Sequence, residues 1–121
     1  MKALRILVLE DDANVALVLA ELLEMLGHNI CAIAYTEAEA VAAALKFLPE
    51  LMIVDVQLCE GSGFAAVDRI AIGGPVPHVF VCGDASIVRM LRLNATVVQK
   101  PYFEPDLTRA MARAFDARTE A

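Results

Sequence analysis

The sequence predicts an α/β domain: a doubly wound, five-stranded parallel sheet flanked by five helices. Three observations lead there. Five short apolar runs, mostly β-branched, show almost no polar alternation, as strands covered on both faces require. Five longer segments with helix start and stop signals alternate with them. The chain has 121 residues, 59% of them apolar, which suits one compact core. Strand and helix in strict alternation imply three layers joined by right-handed crossovers.

The elements follow in order. Residues 6–9 read as the first strand and 13–26 as the first helix, with Gly27 suited to its end. Residues 30–34 form the second strand. Thr36-Glu37-Ala38-Glu39 fits a capping box opening a helix over 36–48, and Pro49 stops it. Residues 51–54 form the third strand. A helix over 63–72 is broken by Gly73-Gly74-Pro75. Residues 79–81 and 96–98 form the last two strands, with a helix over 85–93 between them. The final helix spans 105–117, with Pro105 at its first position. Residues 1–121 thus read as a single domain with no output domain, since only four residues follow the last helix.

Composition excludes several classes. The net charge is −6, from 16 acidic and 10 basic residues, so the basic stripe of a nucleic-acid surface is missing. The longest apolar stretch, within 13–26, is interrupted by Glu21 and Glu24 and is too short to span a bilayer. The N-terminus lacks the apolar core of a signal peptide. Cys31, Cys59 and Cys82 show no metal-ligand spacing, and an odd count points to reduced thiols in the cytoplasm.

Ligands of such a sheet bind beyond the carboxyl ends of its strands. Glu10-Asp11-Asp12 follows the first strand, Asp55 ends the third, Cys82-Gly83-Asp84 ends the fourth, and Gln99-Lys100-Pro101 follows the fifth. Each piece alone reads as a turn, a helix cap or a solvated loop, and Asp12 suits a cap. Together, carboxylates converging on one rim repel one another and need a cation. Mg²⁺ suits such an all-oxygen site, with Lys100 as a second positive charge. The set fits phosphoryl transfer, in which a carboxylate attacks and a lysine holds a peripheral oxygen. Asp55 stands singly at the end of a central strand and is the better nucleophile; the paired acids are the better metal ligands.

These residues resemble the response-regulator receiver domains. The marks are Ile6-Leu7-Val8-Leu9-Glu10-Asp11-Asp12, then Met52-Ile53-Val54-Asp55-Val56-Gln57-Leu58 with Gly63 beyond it, then Gln99-Lys100-Pro101. Their order and spacing cover essentially the whole chain. The resemblance, rather than the residues themselves, implies a flavodoxin-like receiver fold with strand order 2-1-3-4-5. It implies a two-component phosphoprotein in which Asp55 takes phosphate from a sensor histidine kinase or a histidine phosphotransfer protein. Asp11 would then bind Mg²⁺ directly, Glu10 through water and Gln57 by its backbone carbonyl, with Asp55 completing the set. Lys100 would pair with Asp55, and the Lys100–Pro101 bond would be cis. The first helix would dock on the phosphodonor, with Leu17 and Val18 as an apolar patch beside Asn14 and Glu21. Output would be a protein contact, or onward transfer as a phosphate sink or relay. The family's contact surface, the fourth helix with the fifth strand and fifth helix, would reach an unidentified downstream protein or a second copy. Ile87, Met90 and Val97 would lend it apolar area.

The sequence departs from the family at three positions. Cys82 stands where a Thr or Ser hydroxyl usually moves to the phosphoryl group, and a thiol is a poor donor; the Gly83 N–H remains as a phosphoryl contact. Val97 stands where an aromatic ring usually turns inward. Cys59 replaces the usual Pro after Asp55. Cys82 and Val97, the two switch positions, favour a rival reading, a receiver-like interaction module that does not use phosphorylation. A phosphatase of the haloacid dehalogenase kind is a third, but it wants a second Asp where this chain has Gln57. Asp84 and Gln57 fall where the family tunes loss of phosphate. His28 and His78 read as structural or solvated, and Arg89 and Arg92 as a solvated helix face.

Overall fold

The computed structural model describes residues 2–118. Its strands are β1 (Arg5–Leu9), β2 (Asn29–Ala34), β3 (Leu51–Asp55), β4 (His78–Cys82) and β5 (Val97–Gln99). All pairs are parallel, in the order β2-β1-β3-β4-β5 that the resemblance implied. The helices are α1 (Ala13–Met25), α2 (Glu37–Phe47), α3 (Gly63–Ala71), α4 (Ala85–Leu91) and α5 (Glu104–Ala117).

The two-residue period of a strand divides the interior into two layers. Ile6, Val8, Leu51, Ile53, Val79, Val81 and Val98 face α1 and α5, where Leu19, Leu23, Leu107 and Met111 meet them. Leu7, Leu9, Met52, Val54, Phe80, Cys82 and Val97 face α2, α3 and α4, where Ala40, Ala66, Val67 and Val88 meet them. Every residue of β3 is buried, which explains why its sequence shows no polar alternation.

Local signals act largely as the sequence indicates. Asp12 caps α1 by accepting from the N–H groups of Asn14 and Val15. Gly27 follows the cap of α1 at φ 96°, a left-handed conformation that costs glycine least. Thr36 caps α2 by accepting from Glu39 N–H, but the Glu39 carboxylate returns to Tyr35 N–H, one residue before the cap. Pro105 is the second residue of α5, one later than expected.

Two expectations need correction. The fourth helix ends at Leu91 rather than at 93, because Arg92 leaves the helix with φ −139°. Arg92 is then no part of a solvated face. Its guanidinium grips Asp68 of α3 through two contacts of 2.8 Å and lies 4.7 Å from the centre of the Phe64 ring. Arg89 stays exposed. The histidines are both structural: His78 lies edge-on to Phe80 and donates from Nδ1 to Val76 O, while buried His28 accepts from Leu4 N–H through Nδ1.

Burial pulls the pKa of His28 below its ordinary 6.5. The unfolded chain then binds a proton near pH 6.5 that the folded chain does not take up until lower pH. Stability from neutral His28 is therefore full above 6.5 and declines as pH falls through the folded value. Replacing His28 by Leu orphans the buried Leu4 N–H, a cost of about 1–3 kcal/mol. Urea unfolding should show that deficit at pH 7.5 and a narrower gap from the parent at pH 5; a constant gap would refute the histidine linkage.

Candidate functional site

The sheet's hydrogen bonding continues one step past its strands on the carboxyl side. Glu10 N–H bonds to Ala34 O, Val56 N–H to Val81 O and Lys100 N–H to Cys82 O. These bonds fix the backbone beside each chemistry-bearing residue. Strand parity then puts Glu10, Asp55 and Lys100 on the same face, in line with Val8, Ile53 and Val98. The Lys100–Pro101 bond is cis, as the resemblance implied.

Lys100 Nζ stands 3.4 Å from Glu10 Oε1 and 3.5 Å from Asp55 Oδ2. Asp55 Oδ1 accepts from Gln57 N–H at 3.2 Å. Glu10 Oε2 accepts from Asp12 N–H, and Asp11 Oδ2 accepts from Cys59 N–H at 2.8 Å. Glu10, Asp11 and Asp55 each offer an oxygen within 4.8 Å of the others. Glu10 and Asp55 are buried, so three carboxylates face one ammonium in a partly dry site. Burial pushes the Glu10 carboxyl up to about 7, with Asp55 and Asp11 adding to the rise. Asp11 is held below the usual carboxylate range by its hydrogen bonds to Cys59 and Glu10. Lys100 is held above the ordinary lysine value by the Asp55 and Glu10 charges, despite its own desolvation.

This donor set, all oxygen, acidic and short of positive charge, fits Mg²⁺. Asp11, Asp55 and Glu10 would hold it, and the metal would supply charge neutralisation for phosphoryl oxygens.

Gly63 packs its backbone against Asp55. A Cβ there would collide with the Asp55 carbonyl oxygen and the Val54 side chain, so the start of α3 can sit this close only with glycine. A cleft of about 320 Å³ opens beside the acids, between Val15 and Leu19 of α1 and Pro101-Tyr102, and reaches Asp55, Glu10 and Lys100.

The two expected switch positions turn their side chains to the other layer, although the Cys82 backbone borders the site through its bond to Lys100 N–H. Cys82 and Val97 are buried on the α2–α4 side of the sheet, opposite in parity to Asp55 and Lys100. Burial holds the Cys82 thiol above its ordinary pKa. Val97 pairs with Phe80 across the sheet and is only 6% exposed, so it lends no apolar area to the surface. Ile87 and Met90 do, at 53% and 81% exposure, joined by Leu91 and Phe103. On α1, Leu17 and Val18 are exposed, as the sequence indicates. Gly83 lies exposed on the rim. Asp84 turns its carboxylate to Ser86 and caps α4.

Sequence reasoning missed four contacts. Gln99 Oε1 accepts from Ala85 N–H, joining β5 to the start of α4. The Cys59 N–H engages Asp11. Glu37 accepts from Ser62 N–H and pairs with Arg69. Gln99 lay inside a recognised motif, and Glu37 inside a capping signal that already explained it.

A five-stranded parallel sheet in this order, carrying acids and a lysine at its carboxyl rim, defines a flavodoxin-like receiver fold. Residues 6–112 match the family described as the response regulator receiver domain, and the chain belongs to that family of two-component systems. The chain is 40% identical over 81 residues to the phyllosphere-induced regulator PhyR of Methylorubrum extorquens, covering 65% of this chain and 30% of that protein. The solution structure of the Erythrobacter litoralis PhyR receiver domain superposes with a TM-score of 0.84 at 29% identity, over 96% of this chain and 92% of that one. The anti-anti-sigma factor PhyR of Bartonella quintana superposes at 0.79 with 29% identity, over 99% of this chain and 50% of that one. The chain thus spans about a third of the M. extorquens regulator's length. Among the described residues no helix is long and apolar enough to cross a membrane.

In metal-free protein, the Glu10 carboxyl carbon should titrate in NMR with a midpoint near 7. Adding Mg²⁺ should displace that proton and lower the midpoint. A metal-free midpoint at the ordinary 4.5 would mean that water reaches the carboxylate freely.

Proposed function

We propose that this receiver accepts a phosphoryl group on Asp55, with Mg²⁺ at Glu10, Asp11 and Asp55, from a phosphohistidine of a kinase or phosphotransfer protein. The observation that carries the proposal is the pairing of Lys100 with Asp55 at 3.5 Å inside a cluster of three acids. An Asp55 carboxylate oxygen bonds to phosphorus as the P–N bond breaks. The electron pair leaves with the imidazole nitrogen. Lys100 would hold a phosphoryl oxygen once Asp55 carries the acyl phosphate. The cleft between α1 and Pro101-Tyr102 gives the donor its approach, and Leu17 and Val18 stand on the helix that borders it. The Gln57 backbone carbonyl is the further metal ligand by family analogy, and the Gly83 N–H the further phosphoryl contact.

Output is proposed to run through a protein contact on the face of α4, β5 and α5. Exposed Ile87, Met90, Leu91 and Phe103 support it. An anti-sigma factor is one candidate partner, because the similar B. quintana protein is named an anti-anti-sigma factor. A second reading, an interaction module independent of phosphorylation, is favoured by Cys82 and Val97. A buried thiol and a packed valine supply neither the hydroxyl nor the turning ring.

Incubation with Mg²⁺ and acetyl phosphate separates the two. The parent should gain one phosphate mass adduct, and Asp55→Asn should gain none. No adduct on the parent, or equal modification of both, would sink the phosphoacceptor reading. Cys82→Thr should strengthen the phosphorylation-dependent spectral change, since a hydroxyl bond to a charged group is worth roughly 1.5–3 kcal/mol. An unchanged response would show that this position does not limit the switch.

A further inference from the structure

The loop between β3 and α3 leaves Asp55 and returns to Gly63 beside it. It passes the acidic cluster on the way and is tied down at several points. Gln57 N–H bonds to Asp55, Cys59 N–H bonds to Asp11, and Gln57 and Ser62 form an antiparallel bridge that closes the loop. A further anchor, beside the Gly63 N–H bond to Val56 O, is Glu37, the first residue of α2. Its Oε1 accepts from Ser62 N–H at 3.1 Å, its Oε2 pairs with Arg69 at 3.0 Å, and its own N–H donates to Glu60 O. Gly61 sits at φ 87° against the same side chain, where a Cβ would lie 2.5 Å from Glu37 Cβ and Oε1.

An acid in the first turn of a helix is ordinarily explained by the helix dipole. That account needs no bond to another segment. Glu37 instead spends both carboxylate oxygens on the loop and on α3, and Glu60, Gly61 and Ser62 all rest on it. The loop's other end supplies the N–H groups that orient Asp11 and Asp55. Groups behind a metal's ligands set ligand orientation and matter nearly as much as the ligands.

We propose that Glu37 is a positioning residue for the cation and phosphoryl site, acting through Glu60, Gly61 and Ser62 to place the N–H groups of Cys59 and Gln57. This rests on the reading that the cluster binds Mg²⁺ and that Asp55 accepts phosphate. Glu37 itself touches neither the cation nor the phosphoryl group.

The test measures Mg²⁺ affinity by calorimetry, the acetyl phosphate reaction by mass, and exchange of the Cys59 amide by NMR. Glu37→Ala should weaken Mg²⁺ binding about ten-fold, the lower end for loss of an orienting group, and speed Cys59 amide exchange. Glu37→Gln keeps an oxygen for Ser62 N–H and should recover most of both. Arg69→Ala removes the ion pair alone and should leave affinity within about two-fold, as expected for an exposed pair. Equal Mg²⁺ affinity in parent and Glu37→Ala overturns the proposal, as does a Glu37→Gln that falls as far as Glu37→Ala. If Glu37→Ala does not fold, Glu37→Met, which keeps the side-chain length without its oxygens, takes its place with the same thresholds. A parent that binds no Mg²⁺ sinks the functional reading instead, and Cys59 amide exchange then decides the positioning role alone.

Discussion

The ammonium of Lys100 between Glu10 and Asp55 is the interaction on which the rest of the site depends. Three carboxylates within 4.8 Å of one another do not stay together in water without a counter-charge. One lysine offsets only part of that charge, and burial, with Asp55 and Asp11 adding to it, keeps the Glu10 proton to about pH 7. The remaining charge is spread over backbone N–H groups, with Asp12, Gln57 and Cys59 each donating to one acid. Those donors require loops of fixed shape. The loops in turn require the sheet to end abruptly and in register at the same rim.

The sheet supplies that register through its period of two. Glu10, Asp55 and Lys100 are the next same-face positions after Val8, Ile53 and Val98, so the core on the α1–α5 side leads directly into the charged cluster. The same period sends Cys82 and Val97 to the opposite layer, against α3 and α4. The acid cluster and the expected switch positions therefore have their side chains on different faces of one sheet. Gly63 is the closest joint between them, because α3 begins against the backbone of Asp55 itself.

The architecture was readable from the chain because its signals are local. Apolar runs of three to five residues, Gly27, Thr36 and Pro49 act on their immediate neighbours, and the elements begin and end within one or two residues of expectation. The strand order is not a local property and came from resemblance. The acids and Lys100 were legible because four strand ends agreed. What escaped were contacts between residues distant in sequence whose types already had a local explanation. Glu37 looked like a helix-start acid and Arg92 like surface. Val97 looked like part of an interaction face, yet the strand period turns it inward. Nothing in the spacing of Arg92 and Asp68, 24 residues apart, marks them as partners.

Helix α4 has seven residues, fewer than a helix needs to persist in water by itself. Its first N–H is held by Gln99 from β5, and the residue after its last turn is held by Asp68 and Phe64 of α3. The order of α4 is therefore borrowed. With its Asp84 cap and the burial of Ala85 and Val88, these neighbours hold a helix too short to stand alone. A change in α3 that disturbs Asp68 or Phe64 would therefore also loosen the end of α4.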